Sequence, residues 1–399
     1  MTKGIGGSTP EIELSKLSDM TAGTKPIDTI EFQNRIAKAQ RLMMEQGLSA
    51  IYLNAGSNLF YFTGLHWNGS ERMVGAFLLQ DGPPQFVAPV FEIGTLEQFM
   101  LIEGPVHGWE EHQSPYPLLR KIVSEGRVGI DESTPYFISD GLVKANPALT
   151  FESATPVTRT CRQQKSDHEL SLMKRAKEMT LQVHKATAAI LYEGITAAEV
   201  GAFLDAAHRK VGAPKGSYFK IVLFGPDSSY PHGVKNHKPL ERGDMVLIDT
   251  GCQCHDYISD MTRSYVFGDP DAEQRRVWNA EKRAQIAAFE AAKIGVRCGD
   301  ADLAARASLE ADGFGPAYKT PGLPHRTGHG IGLDIHEWPY LNWGDDTPLA
   351  EGMCFSSEPM ICKYGEFGVR LEDHFYMTDS GPEWFTQPSH SIDDPFRGV

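Results

Sequence analysis

The sequence predicts an α+β chain of two domains, an α/β domain over about 30–158 and a larger one over 159–399, behind a polar extension at 1–29. Three observations predict this. The 399 residues exceed what one ordinary core holds. Between about 30 and 155, a helical segment precedes short apolar runs separated by turn signals, an α/β alternation. Beyond residue 165, two helical segments followed by strand-like segments occur twice, a duplicated architecture without an obvious sequence repeat.

Taken in order, residues 1–29 are polar, with scattered Gly and Pro and no apolar signal-peptide stretch, so secretion is not expected. Residues 31–46 repeat Ile36, Ala39, Leu42 and Met43 at helical spacing and end at Gly47. Strand-like runs follow at Ala50–Leu53, Gly75–Leu79, Phe86–Ala88 and Val128–Ile130, with Gly82-Pro83-Pro84 as a turn. Tyr61–Met73, rich in aromatic and turn residues, reads as a loop, and Thr155–Lys165 as the interdomain linker. Ser166-Asp167-His168-Glu169 has the form of a capping box, opening a helix to about Tyr192. Thr196–Glu199 repeats the device, with Val200, Phe203, Leu204 and Ala207 on one face of a second helix. Strands are expected at Phe219–Phe224 and from Met245 to about Phe267, helices at about 270–293 and 299–312, and strands again from about 325.

Composition narrows the function. With 41% hydrophobic and 23% charged residues and no membrane-length apolar run, the chain reads as a soluble globular protein. A net charge of −14 argues against nucleic-acid or anionic-membrane partners. The six cysteines, at 161, 252, 254, 298, 354 and 362, show no CxxC pairing, so reduced thiols and a cytoplasmic location are expected.

The chemistry gathers in the second domain. An apolar run, Met245–Ile248, leads into Asp249, and Asp260 follows eleven residues later. If the chain folds back near Gln253–Asp256, the two acids land opposite each other across a hairpin, where they repel unless a cation lies between. Cys252 and Cys254 flank that turn and read as strand filler rather than ligands. Downstream, His325, His329 and His336 fall within twelve residues, among the glycines of Gly328-His329-Gly330-Ile331-Gly332. Glu358 ends an apolar approach just before Pro359, and Glu372 follows the apolar segment Phe367–Leu371. Asp249, Asp260, His329, Glu358 and Glu372 form a hard, oxygen-rich set suited to Mn²⁺, Co²⁺ or Zn²⁺, and four carboxylates match two divalent ions. Two such ions share a water and lower its pKa toward neutrality, so metal-assisted hydrolysis is the reaction class expected.

The order Asp249, Asp260, the histidine of His329-Gly330-Ile331-Gly332, Glu358-Pro359 and Arg370-Leu371-Glu372-Asp373 resembles the pita-bread metallopeptidases, among them methionine aminopeptidase, aminopeptidase P and prolidase. The resemblance covers about 165–395, with a creatinase-like domain before it, and is greatest to bacterial Xaa-Pro dipeptidases. It implies a pseudo-symmetric curved sheet covered by two helix pairs. It also implies that Asp260 and Glu372 bridge two ions, Mn²⁺ foremost, with Asp249 completing one shell and His329 with Glu358 the other. Glu358 would relay a proton between water and the leaving amine. His232 would line the cleft near the reacting carbonyl, His336 would stabilise the tetrahedral intermediate, and His325 and Arg370 would lie close to substrate. Arg370 could also hold a bridging carboxylate bidentately. Family members are commonly homodimers in which a partner's N-terminal domain closes the cleft, and Trp67 is the candidate for that closure.

The function implied is hydrolysis of Xaa-Pro dipeptides. The alternatives are an aminopeptidase P acting on longer peptides, a hydrolase of a small non-peptide amide such as an ectoine-like ring, or a non-catalytic scaffold. The five filled ligand positions oppose the last of these.

Overall fold

The computed structural model describes residues 2–399, which form two compact units, residues 2–25 with 163–399 and residues 26–162. The smaller unit is built on a six-stranded mixed sheet. Its central strand Ala50–Asn54 pairs antiparallel with Gly75–Leu79 and parallel with Gly126–Ile130. The long helix Thr29–Gln46 begins on Asp28, whose carboxylate accepts the Glu31 N–H, and stops at Gly47, whose φ of 69° a side chain would resist. The boundary between the two units, Arg162–Gln163, falls inside the segment read as a linker, whose first part is the helix Thr155–Arg162, burying Val157, Thr158, Cys161 and Arg162. One expectation is corrected here. The aromatic loop expected from Tyr61 begins inside the helix Ser57–Thr63, which Gly64 terminates in the left-handed conformation.

In the larger unit, both anticipated capping boxes form. Ser166 and Glu169 open the helix Asp167–Ala189, and Thr196 and Glu199 open Ala197–Lys210. A second pair follows, Ala272–Ala291 and Cys298–Ala311. After the first pair comes a three-stranded antiparallel sheet with Met245–Gly251 between Phe219–Phe224 and Met261–Val266. After the second comes a five-stranded sheet containing Gly328–Gly330, Cys354–Ser357 and Asp373–Thr378. The duplicated pattern of helix pair and sheet is thus present in three dimensions. Every residue of Met245–Gly251 is buried, because the strand is flanked on both edges and covered by a core that includes Trp278, Val277 and Leu371.

The hairpin register differs from the one expected. His255 and Asp256 form a two-residue turn with φ of 45° and 73°, between the paired residues Cys254 and Tyr257. That turn centre lies one residue beyond the one inferred from the apolar pattern, so Asp249 faces Thr262 and not Asp260. A shift of one residue in the centre moves each partner by two, and the two acids therefore keep a common face as diagonal neighbours. Gly251 admits this pairing, since a Cβ there would lie 1.7 Å from the Ser259 carbonyl oxygen.

Candidate metal centre and substrate cavity

Five strand ends bring the expected ligand set together. Asp249 lies within Met245–Gly251, Asp260 just before Met261–Val266, and His329 within Gly328–Gly330. Glu358 follows Cys354–Ser357, and Glu372 lies between Phe367–Arg370 and Asp373–Thr378. His329 Nε2 is 3.1 Å from Glu358 Oε1, 3.6 Å from Asp260 Oδ2 and 3.9 Å from Glu372 Oε1. Donor atoms of Asp260, His329 and Glu372 all fall within 4.8 Å of one another. Asp249 joins them through a side-chain contact with Asp260.

The electrostatics of this cluster call for a cation. Asp260 and Glu372 are pushed well above the usual carboxylate range, first by burial and then by the neighbouring acids. Asp249 is raised by burial as well, with Arg370 opposing. Burial also raises Glu358, but the hydrogen bond and charge of His329 outweigh it and leave this carboxyl depressed. Among the described residues, Asp249 Oδ1, Asp260 Oδ1 and Glu372 Oε1 are buried without a hydrogen-bond partner. His329 Nδ1 lies 2.9 Å from the Gly330 carbonyl oxygen, an acceptor only, so Nδ1 carries a proton and Nε2 faces the acids, donating to Glu358 when protonated and offering a lone pair to a metal once that proton is lost. A lone pair and three orphaned carboxylate oxygens facing one another are what a divalent cation satisfies. The residues present fit such ions.

Arg370 meets the cluster from one side. Its Nη2 donates to Asp249 Oδ2 at 2.5 Å and its Nε to Thr262 Oγ1 at 2.9 Å. Thr262 in turn donates to Glu372 Oε2 at 2.9 Å. The bidentate grip on a bridging carboxylate is therefore corrected to a single contact with Asp249, because the adjacent nitrogen is taken by threonine. Beside the cluster a cavity of about 560 Å³ is lined by His232, His325, His336, Glu358 and Arg370 together with Tyr318, Arg326, Asn342 and Tyr364. His336 stands edge-on to His329 at 4.3 Å between ring centroids, and burial followed by that neighbour pushes it down to about 4. His325 is lowered by burial, and its Nε2 has no partner among the described residues. Trp67 belongs to the other unit, half-buried in the coil after Gly64. Cys252 and Cys254 are buried free thiols beside Thr180 and Thr24 respectively, away from the ligand set.

The model of metallopeptidase family M24 matches residues 171–379, and that of the creatinase/prolidase N-terminal domain matches 35–164. The chain belongs to metallopeptidase family M24. An M24 relative named Xaa-Pro dipeptidase, from Pyrococcus horikoshii, is 30% identical, covering 90% of this chain and 98% of its own. The crystal structure of dipeptidase PepE from Mycobacterium ulcerans is 31% identical with a TM-score of 0.85, over 92% of this chain and 99% of that one. An X-Pro aminopeptidase structure from Thermotoga maritima is 27% identical with a TM-score of 0.77, over 90% and 98%. The fold is the pita-bread fold behind a creatinase-like N-terminal domain, and the family is one of divalent-metal peptidases.

Several residues that touch the cluster escape a reading of the sequence. Thr262 bridges Arg370 and Glu372. Ser356 Oγ accepts the His329 N–H at 2.9 Å and donates to Glu358 Oε1 at 3.2 Å. Behind Glu372, Asp373 pairs with Arg263 at 2.6 Å, both fully buried, and accepts from Gln285 at 3.0 Å. Hydroxyls in strands carry no distinguishing pattern. For Asp373 a signal existed, since an acid beside another acid in an apolar strand requires a buried cation.

Proposed function

We propose that this peptidase hydrolyses the Xaa-Pro bond of dipeptides at a dinuclear metal centre held by Asp249, Asp260, His329, Glu358 and Glu372, with Mn²⁺ the first candidate. The observation that carries the reading is the convergence of Asp260, Glu358 and Glu372 on Nε2 of His329, with Asp249 touching Asp260 and an orphaned buried oxygen on Asp249, Asp260 and Glu372. Two divalent ions held there would polarise the scissile carbonyl and make water acidic enough to attack at neutral pH.

The chain's own groups supply the rest. Glu358, depressed and at the edge of the cavity, is ionised at neutral pH and takes the proton of the attacking water. It then delivers that proton to the prolyl nitrogen, which as a tertiary amide has none of its own. His336, at about 4, is neutral at pH 7 and donates an N–H to the oxyanion without adding a charge. His232 and His325, on the same cavity wall, orient the dipeptide.

Hydrolysis of Ala-Pro by the Mn²⁺-loaded protein, compared with Ala-Pro-Ala, tests this reading. Faster release from the dipeptide supports it. The similarity to an X-Pro aminopeptidase favours one rival, and preference for the tripeptide would establish that rival instead.

A further inference from the structure

The cavity wall carries two guanidinium groups in opposite situations. Every side-chain nitrogen of Arg370 has a partner: Asp249 for Nη2, Thr262 for Nε and the Pro231 carbonyl for Nη1. Arg326 is half-buried on the same wall. Among the described residues its guanidinium makes no hydrogen bond and no ion pair. It lies over the face of Tyr340, 4.3 Å from the ring centroid. Stacking of this kind holds the plane in place and leaves the N–H edge free. The neighbouring backbone is fixed, since the Arg326 carbonyl accepts from His325 Nδ1 at 2.7 Å and Thr327 donates to Asp302 at 3.0 Å. Asn342 lies on the same wall. Its side-chain oxygen accepts the Gly344 N–H at 3.0 Å, and among the described residues its amide NH₂ has no partner, a second unused donor.

Elsewhere in the chain more deeply buried arginines are paired. Arg35 meets Glu31, Arg263 meets Asp373 and Arg306 meets Asp302. An oriented, unpaired guanidinium in a substrate cavity of a chain with net charge −14 is a site for an anion that arrives with the substrate.

We propose that Arg326, assisted by Asn342, binds a carboxylate of the substrate. The inference rests on the Xaa-Pro dipeptidase reading. Two carboxylates satisfy it: the C-terminal carboxylate of proline, or the side chain of an acidic Xaa. Either makes Arg326 a specificity-determining residue, separate from Arg370, which is committed to Asp249.

The test compares the Mn²⁺-loaded wild type with Arg326→Gln and Arg326→Lys on Ala-Pro, Ala-Pro amide, Glu-Pro and Gln-Pro. Loss of one charge-assisted contact lowers kcat/KM by about tenfold to a hundredfold, mainly through KM, and lysine restores part of it. A loss on Ala-Pro, Glu-Pro and Gln-Pro that spares the amide assigns the C-terminal carboxylate. A loss confined to Glu-Pro assigns the side chain. An equal change on all four substrates overturns the proposal. So does a wild type that distinguishes neither Ala-Pro from its amide nor Glu-Pro from Gln-Pro, an outcome that needs no variant to fold. A wild type that cleaves Ala-Pro while Arg326→Gln matches it on every substrate sinks the Arg326 assignment alone. A wild type that cleaves none of the four sinks the dipeptidase reading beneath it.

Discussion

At Thr262 a single hydroxyl serves two charged groups, accepting from Arg370 and donating to Glu372. The isosteric Thr262→Val keeps the packing and leaves both groups short of a partner. We expect kcat to fall by about tenfold with the fold intact, which steady-state kinetics and circular dichroism check together. Asp260→Asn separates function from stability in a different way. Asp260 and Glu372 carry pKa values raised by burial and by each other, so the folded metal-free chain keeps protons that the unfolded chain releases above about pH 4. Stability of the metal-free protein therefore falls as pH rises from about 4 toward those raised values, and divalent metal abolishes the fall. Asp260→Asn should raise the metal-free Tm at pH 7 by several degrees and abolish peptidase activity. Thermal scans across pH with and without Mn²⁺ check both signs. Of the four acids and one histidine proposed for this centre, Asp249, His329, Glu358 and Glu372 were legible in the sequence because each ends or interrupts an apolar or glycine-rich stretch where an uncompensated polar group is costly, and Asp260 by its spacing from Asp249. Thr262 and Ser356 were not, since a hydroxyl in a strand costs little and marks nothing.

At the scale of elements, the hairpin carrying Asp249 and Asp260 was legible and its register was not. The pattern of Val246–Ile248 and Tyr257–Ile258 fixes two strands, but the pairing depends on where two non-glycine residues, His255 and Asp256, accept positive φ. Nothing in the apolar pattern marks that point. Gly251 is the position where the register leaves no room for a side chain. Gly251→Ala should destabilise the protein by about 3 kcal/mol or more and lower its metal content, read by thermal denaturation and elemental analysis. The helix pair behind this sheet is held partly by buried neutral histidines. His184 Nε2 bonds to the Met261 carbonyl at 2.9 Å, and His208 lies between Thr180 and Ser217. Burial pushes both down to about 3. The unfolded chain takes up these protons below about pH 6.5 and the folded one does not, so their contribution is complete above that pH and drains away as pH falls toward about 3. Acid titration of metal-loaded protein should show this loss, and His208→Gln should lessen it.

For the molecule as a whole, the duplicated order of helix pair and sheet explains where the centre lies. The first half supplies Asp249 and Asp260, and the second supplies His329, Glu358 and Glu372. Neither half can neutralise its acids alone, so metal bound at the proposed centre would tie the two halves together. The duplication was legible from capping boxes and helical spacing, and the linker segment does hold the boundary between the units, but its helix Thr155–Arg162 went unread because polar residues dominate its eight positions. No helix among the described residues is long and apolar enough to cross a membrane. The most direct test of the dinuclear account is the metal content of active protein, measured by elemental analysis against Ala-Pro hydrolysis while a chelator is titrated in. The account predicts two divalent ions per chain, with activity lost as they are removed and regained with Mn²⁺. Undiminished Ala-Pro hydrolysis by protein stripped of metal would contradict it.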